Sequence, residues 1–237
     1  FDSKYLFEIS NVIVNSKNNF IYVLNKKNKQ SSLLSESSEW PSDRNLITSE
    51  SPPTKIIQDI ESAKLGLSNS GFYHFIAEDL SNLLLDDSYY PVLNYENNSP
   101  LAVQVLGKIE AEVIYVPKWV YVKKLSFVSR GNDLGYLHPN GLKALTEFAN
   151  RYATDNKSGQ NIYISRIGTR RSIAGEEKIV EYLKDKGFRI VKAEDFSFEE
   201  QISIFRNVNI LIGLHGAGLT HGIWSNKTML IELMPKN

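Results

Sequence analysis

The stretch Asn209–Gly222, NILIGLHGAGLTHG, decides the fold class of this chain. Its first part, Ile210–Ile212, is a hydrophobic run typical of a buried strand. The run ends at the glycine-rich turn His215–Gly218, and an apolar segment compatible with a helix follows. A strand, a glycine-rich turn and a helix in this order direct backbone N–H groups and a positive helix dipole at an anion, usually a phosphate. The alternative is a tight turn with a hydrogen-bonded histidine.

Motif spacing and composition exclude several other classes of protein. Gly213, Gly216 and Gly218 do not fit the dinucleotide fingerprint, and no Lys-Ser/Thr pair follows them as in a P-loop. The 27 basic and 27 acidic residues balance, so the charge does not favour a general nucleic-acid binder. The chain has no cysteine, which excludes disulfides, thiolate metal sites and cysteine nucleophiles. Its four histidines lack the spacing of a zinc motif.

The second half of the chain alternates between strand and helix patterns. We predict strands at Asn161–Ser165, Phe188–Lys192, Asn209–Leu214 and Met229–Leu233, and helices at Glu176–Lys186, Phe198–Arg206 and Leu219–Trp224. Such alternation indicates right-handed βαβ units and a parallel sheet, in which ligands bind beyond the carboxyl ends of the strands. Arg166, His215 and Glu232 each lie at or near such a strand end.

The first half has a less regular pattern. We predict strands at Lys4–Asn15, Phe20–Asn25, Pro91–Tyr95, Val113–Val116 and Tyr121–Val128, and helices at Ser70–Leu85, Leu101–Leu106 and Leu142–Arg151. Residues 26–53 are polar and are interpreted as a surface excursion or flexible loop. The polar segment Thr154–Gly159 suggests a boundary between domains at 1–155 and 156–237. We expect the second domain to be truncated, because the chain stops just after its last strand.

Charged residues at the predicted strand ends suit a phosphorylated ligand. Arg166, Arg170 and Arg171 lie after one strand, and guanidinium groups bind phosphate oxygens bidentately. The alternative is a solvated basic loop. Glu232 is flanked by apolar residues, and its carboxylate is suited to accept two ribose hydroxyls of a nucleotide or a salt bridge from a loop arginine.

A histidine and a carboxylate share one face of the predicted helix in the first half. His74 and Glu78 are four residues apart, whereas Asp79 points elsewhere. Such a pair is suited to general-base catalysis, although an ordinary helix face with a hydrogen-bonded histidine has the same pattern. The adjacent Asp86 and Asp87 do not have the spacing of a D-x-D metal motif, which is consistent with metal-independent chemistry.

These motifs, in this order, resemble a known family. The segment from ISRIGTRRS through FSFEEQ and HGAGLTHG to LIEL resembles the donor domain of glycosyltransferase family 61, and GFYHFIAEDL resembles a segment of its acceptor-side domain. The positions that match the family's motifs are His74, Glu78, Arg166, Arg171, Glu176 or Glu177, Gln201, His215, Gly216, Ala217, Gly218 and Glu232. Two positions depart from the pattern: His221 and Gly175 stand where the family usually has asparagine.

The resemblance implies an α/β, GT-B-like fold, with two Rossmann-like domains whose parallel sheets face each other across a cleft. It also implies inverting, metal-independent transfer of a sugar from a nucleotide-sugar, commonly a UDP-sugar, to a hydroxyl of a glycan or polysaccharide. Glu78, aided by His74, is then the expected base. Arg166, Arg171, Gln201, Glu232 and the turn His215–Gly218 are the expected donor-binding groups. No cofactor and no metal are expected.

Two other functions stay open at this point. An esterase could use the HGAG turn as an oxyanion hole, but no G-x-S-x-G segment follows it. A non-catalytic nucleotide-sugar-binding module or an inactive fragment is the second alternative. The Asn-, Lys- and Ile-rich composition hints at an AT-rich bacterial genome, and so at capsule synthesis in the cytoplasm or at the cytoplasmic face of the membrane. Peripheral membrane association through regions outside this sequence is open, as is the secretory lumen for a eukaryotic protein.

Overall fold

The chain forms two compact units, Phe1–Leu142 and Lys143–Asn237, in a computed structural model. The structure describes residues 6–24, 31–33, 52, 56, 58–68, 71–128, 137–153, 159–225 and 227–234. Each unit has its own sheet and its own helices, so the predicted α/β class is confirmed.

The first unit is built on a seven-stranded sheet. Its strands are β1 (Leu6–Asn15), β2 (Phe20–Leu24), β3 (Ser31–Leu33), β4 (Asp59–Lys64), β5 (Val92–Tyr95), β6 (Val113–Val116) and β7 (Trp119–Val128). They lie in the order β3-β2-β1-β7-β4-β5-β6. The four strands β7, β4, β5 and β6 run parallel, whereas β1 is antiparallel to both β2 and β7.

This sheet is therefore mixed: the parallel arrangement that the resemblance implies holds for β7, β4, β5 and β6, and not for β1, β2 and β3. The physical reason is the short connection between β1 and β2, which spans only residues 16–19. A parallel pair needs a crossover of a dozen or more residues, so a connection this short enforces a hairpin. The strand β3 lies inside residues 26–53, where a loop was expected, and pairs with β2. Apart from β3 and Pro52, that stretch lies outside the described residues.

The central strand β4 has no counterpart among the predicted strands. It carries only two apolar side chains, Ile60 and Ala63, and both are buried. Its last residue, Lys64, is also buried, and its Nζ donates hydrogen bonds to the carbonyls of Asp86 (3.1 Å) and Ser88 (3.0 Å). A strand that reads DIESAK has a weak hydrophobic pattern, and only its neighbours β5 and β7 make it a strand.

The predicted helix Ser70–Leu85 is present as one continuous helical segment in three parts. These are α1 (Phe72–His74), a π-helical turn (Phe75–Leu80) and α2 (Ser81–Leu85). Within it, the Ser81 hydroxyl donates to the carbonyl of Ala77 at 2.6 Å. π-Helical turns are rare in proteins, and those that occur often lie at functional sites. The residues of this turn are therefore candidates for a functional role. The next helix, α3 (Pro100–Leu106), is capped by the Ser99 hydroxyl, as the Ser-Pro sequence favours.

The second unit contains the parallel sheet that the alternating pattern predicted. Its strands are β8 (Gln160–Ile164), β9 (Arg189–Val191), β10 (Val208–Leu214) and β11 (Met229–Leu233), in the order β11-β10-β8-β9. The helices α5 (Glu176–Asp185) and α6 (Phe198–Phe205) connect them, and a 3-10 turn covers Ala193–Asp195. The helix predicted at Leu219–Trp224 is instead a 3-10 helix over Ala217–Trp224.

The helix α4 (Pro139–Tyr152) runs across the boundary between the units. Its Phe148 ring lies 5.1 Å from the ring of Tyr152 and 6.3 Å from that of Phe198, so the helix contributes to the core of the second unit. The compact units therefore divide at 142–143, whereas the sequence suggested 155–156. Among the described helices, none has the length and apolar character needed to cross a bilayer.

Candidate active site

Three of the predicted site residues lie at the carboxyl edge of the second sheet. The strands β8, β10 and β11 are neighbours in this parallel sheet, so their carboxyl ends meet at one edge. Arg166 follows β8, His215 follows β10, and Glu232 is the penultimate residue of β11. The sheet thus brings together side chains that are far apart in the sequence.

The Arg166 side chain packs directly on the glycine-rich turn. Gly216 has φ +132° and ψ −170°, a conformation that is essentially restricted to glycine. A Cβ atom added at Gly216 would lie only 2.5 Å from the Nη2 atom of Arg166. The guanidinium group therefore occupies the space that a side chain would fill. The predicted juxtaposition of the arginine loop and the HGAG turn is present.

His215 is held to the edge strand β11 by two hydrogen bonds. Its backbone N–H donates to the carbonyl of Leu233 at 3.0 Å, and its Nδ1 lies 2.8 Å from Oε1 of Glu232. The two side chains are 60% and 40% exposed, so the pair is accessible to a ligand. The side-chain partner of Glu232 that the sequence left open is thus His215 and not an arginine. A contact of Glu232 with ribose stays a prediction.

The buried carboxylate of Glu176 anchors the loop that carries Arg166. Its Oε1 accepts hydrogen bonds from the backbone N–H of Arg166 (2.6 Å) and from the hydroxyls of Ser165 (3.0 Å) and Tyr163 (3.2 Å). Glu176 is fully buried, whereas Glu177 is exposed, so the structure distinguishes the two possible acidic positions. Burial and the Glu176 carboxylate raise the pKa of the Tyr163 hydroxyl, which therefore stays protonated and able to donate.

Sequence reasoning did not identify Tyr163 and Ser165 as part of this arrangement. Ser165 directly precedes Arg166, so its position at the strand end was a usable signal. Tyr163 gave no such signal, because a tyrosine inside the strand NIYIS reads as an ordinary core residue. Only the folded loop shows that both hydroxyls converge on Glu176.

Two other predicted donor-binding residues are placed differently. Gln201 is buried, and its Nε2 donates to the carbonyls of Ala193 and Phe196, each at 2.9 Å, so its amide ties down the loop before α6. Arg171 is exposed, and its backbone N–H donates to the Thr169 hydroxyl at 3.3 Å. Within the described residues, the Arg171 guanidinium makes no hydrogen bond or ion pair with the glycine-rich turn. Donor contacts of both residues stay predictions.

His221, which departs from the family pattern, lies in the core below the turn. It is 2% exposed, and its ring stacks on Phe205 with centroids 4.3 Å apart and planes at 11°. Burial lowers the pKa of His221 to about 3, so its ring is neutral at physiological pH. This position shapes the packing beneath the turn.

In the first unit, the predicted contact between His74 and Glu78 is present. His74 Nδ1 lies 3.0 Å from Glu78 Oε1, and the side chains are 29% and 12% exposed. Glu78 belongs to the π-helical turn. The neighbouring Asp79 points elsewhere, as expected: it is buried and accepts hydrogen bonds from the backbone N–H and the hydroxyl of Ser68. Asp79 thus fixes the loop after β4, whereas Glu78 is paired with the histidine.

The described residues contain no cluster of three or more side chains suited to hold a metal ion. Asp86, half of the adjacent Asp pair, is buried and accepts hydrogen bonds from the Ser126 hydroxyl (2.9 Å) and from the backbone N–H of Ser88 (3.0 Å). Its carboxylate therefore has a structural role.

Comparison with known sequences assigns the chain to a family. The pattern of the family Glycosyltransferase 61 matches residues 72–231, more than half of the 237 residues, and the chain belongs to this family. The match contains the His74–Glu78 pair, Arg166 and the HGAG turn, and it ends one residue before Glu232.

A curated relative is an EGF domain-specific O-linked N-acetylglucosamine transferase from Drosophila melanogaster. It is 42% identical to this chain over 62 residues, which are 25% of this chain. The matched stretch spans only 12% of the length of that relative.

Proposed function

We propose that the protein transfers a sugar from a nucleotide-sugar to an acceptor hydroxyl. The observation that carries this proposal is the packing of the Arg166 guanidinium on Gly216, at the carboxyl edge of a parallel sheet. This arrangement concentrates positive charge and backbone N–H groups at one place. Because the first N–H groups of a helix lack partners within it, the turn is suited to bind the departing diphosphate.

On the acceptor side, we propose Glu78 as the general base, with His74 as its partner. Inversion requires one base that removes the proton of the acceptor hydroxyl while its oxygen attacks the anomeric carbon from the face opposite the nucleotide. The C–O bond to the diphosphate breaks as the new C–O bond forms, and the proton passes to Glu78. The 3.0 Å contact with His74 orients the carboxylate. The GT-B-like organisation implied by the resemblance stays part of this proposal.

The donor we propose is a UDP-sugar, and the name of the fly relative makes N-acetylglucosamine the first sugar to test. The acceptor is a hydroxyl of a glycan or polysaccharide, as the sequence suggested. The name of the relative adds a protein hydroxyl as a second class. We further propose that neither a metal nor a cofactor takes part, because arginine and backbone N–H groups are able to offset the charge of the leaving group. We also propose that the product is a surface polysaccharide made on the cytoplasmic side.

The first test is nucleotide binding, measured as thermal stabilisation by UDP, GDP, CMP and ADP with EDTA present. A ligand at a hundred times its Kd adds about 2.7 kcal/mol of stability. We expect a shift with UDP that Arg166→Ala abolishes. The matched control is Arg189→Ala, which removes the same charge from the amino end of β9, at the opposite edge of the sheet. Equal UDP shifts in both variants would contradict the assignment of Arg166.

The second test is turnover of UDP-N-acetylglucosamine, followed by UDP release with and without an acceptor panel. We expect Glu78→Gln to lose turnover while it keeps UDP binding. Binding of UDP without turnover in the wild type would identify the non-catalytic module instead. Loss of activity in EDTA, restored by Mg²⁺ or Mn²⁺, would overturn the metal-independent mechanism.

A further inference from the structure

We propose that Glu232 is a positioning residue that acts through His215, and not a direct ligand of the ribose. This inference rests on the proposed nucleotide-binding function of the same site. In this inference, the Glu232 carboxylate on the edge strand β11 orients the ring of His215 in the glycine-rich turn. The turn is then held from both sides, by Arg166 after β8 and by Glu232 on β11.

The geometry shows that β11 fixes His215 at two points. The Leu233 carbonyl accepts a hydrogen bond from the backbone N–H of His215 at 3.0 Å, and Oε1 of Glu232 lies 2.8 Å from Nδ1 of His215. The strands β10 and β11 pair in register, with Gly213 opposite Glu232 and Leu214 opposite Leu233. The residue that follows β10 therefore meets the end of β11 as a consequence of the sheet register.

The chemistry of the pair determines which ring nitrogen serves the ligand. An ionised carboxylate only accepts hydrogen bonds, so Nδ1 of His215 carries a proton in this contact. Nε2 is then the nitrogen left to contact the nucleotide-sugar. It accepts a hydrogen bond when the ring is neutral and donates one to a phosphate oxygen when the ring carries both protons. Without Glu232, the ring is free to flip and the proton of the neutral ring is free to occupy either nitrogen.

The exposure of the pair argues against a role in folding. The two side chains are 60% and 40% exposed, and ion pairs in such positions contribute little to stability. Oε1 of Glu232 lies within hydrogen-bond distance of Nδ1, so the His215 ring is the contact of this carboxylate that the structure shows.

A double-mutant cycle on UDP affinity tests the inference. Isothermal titration calorimetry is performed on wild type, His215→Ala, Glu232→Ala and the double variant. If each single change weakens binding about tenfold, coupling predicts about tenfold for the double variant as well, and independent contacts predict about a hundredfold. Glu232→Gln should restore most of the affinity, because its side-chain carbonyl still accepts from Nδ1. Glu181→Ala, an exposed carboxylate on α5, is the charge-matched control.

A second ligand separates positioning from ribose recognition. If Glu232 acts through His215, the ratio of the UDP and 2′-deoxy-UDP affinities stays unchanged in Glu232→Ala. If Glu232 binds the ribose, the ratio changes in that variant and the inference is overturned.

The ring itself provides a readout that needs no ligand. In the free protein, 15N chemical shifts of the His215 ring, assigned with His215→Ala, should report the Nδ1–H form for the wild type at a pH where the ring is neutral. Glu232→Ala should show a mixture of forms. Unchanged shifts would overturn the inference even if UDP binds. Failure of the wild type to bind any nucleotide would instead refute the proposed function and leave the ring result to stand by itself.

Discussion

Replacing Gly216 by alanine tests the central contact of the donor site. The added methyl group meets two obstacles, an unfavourable backbone conformation at φ +132° and the Arg166 Nη2 atom at 2.5 Å. The backbone term alone costs about 1–3 kcal/mol. In a chain of this size, each kcal/mol lowers Tm by about 2–4 °C, so we expect a decrease of about 2–12 °C.

The same methyl group should displace the Arg166 guanidinium and so weaken nucleotide binding. A hydrogen bond to a charged group contributes about 1.5–3 kcal/mol, so its loss corresponds to about tenfold to hundredfold in Kd. Differential scanning fluorimetry gives Tm, and calorimetry with UDP gives Kd. The two measurements separate damage to the fold from damage to the site.

Gly187→Ala is the matched control for this experiment. Gly187 lies two residues after the end of α5 and has φ +79°, and a Cβ atom placed there meets nothing within 4 Å. Its replacement carries a comparable backbone cost, about 1–2 kcal/mol, but no clash with Arg166. We therefore expect both variants to lose stability and only Gly216→Ala to lose affinity. If Gly216→Ala melts and binds like the wild type, the reasoning about the crowded turn is refuted.

Three further predictions concern stability. Glu176→Ala should lower the free energy of unfolding by about 3–5 kcal/mol, since it leaves two buried hydroxyls and the partly buried N–H of Arg166 without their shared acceptor. A decrease of less than about 1 kcal/mol in a urea titration would contradict the anchoring role. His221 binds a proton below pH 6.5 in the unfolded chain, but only near pH 3 in the folded chain. The free energy of unfolding of the wild type should therefore fall by about 2 kcal/mol from pH 6.5 to pH 5 through this residue. Urea titrations at several pH values should show that His221→Asn lacks this decrease. Gly66→Ala should prevent folding of the first unit, because its Cβ would lie 1.8 Å from the Leu93 carbonyl oxygen, whereas Gly107→Ala meets only contacts of 3.5 Å and should give a circular dichroism spectrum like that of the wild type.

The sequence by itself determined much of the second unit. Its apolar runs recur with strand and helix periods in strict alternation, so the pattern of strand and helix is set by local periodicity. The strands β8 to β11 and the helices α5 and α6 lie within a few residues of their predicted bounds. The positions of Arg166 and His215 at strand ends followed from the same pattern, because in a parallel sheet all carboxyl ends share one edge.

The first unit shows where this reasoning stops. The strand β4 has a polar sequence, and it is a strand because it pairs with β7, whose partner residues lie 62 positions further along the chain, as for Asp59 and Tyr121. One of the two antiparallel partners of β1 is also distant in the sequence, because β7 lies more than a hundred residues downstream. Pairings of this kind are set by packing and register, and a local pattern of apolar residues does not encode them.

The partners of the site residues were decided by the tertiary structure alone. Residue type and spacing identified Glu232, His215 and Arg166 as candidates, but each had several possible partners. Because β10 and β11 pair in register, the Glu232 carboxylate lies beside His215. The absence of a side chain at Gly216 leaves the space that the Arg166 guanidinium occupies. The chemistry of single residues is written in the sequence, whereas the distances that turn them into a site exist only after distant strands have been brought side by side.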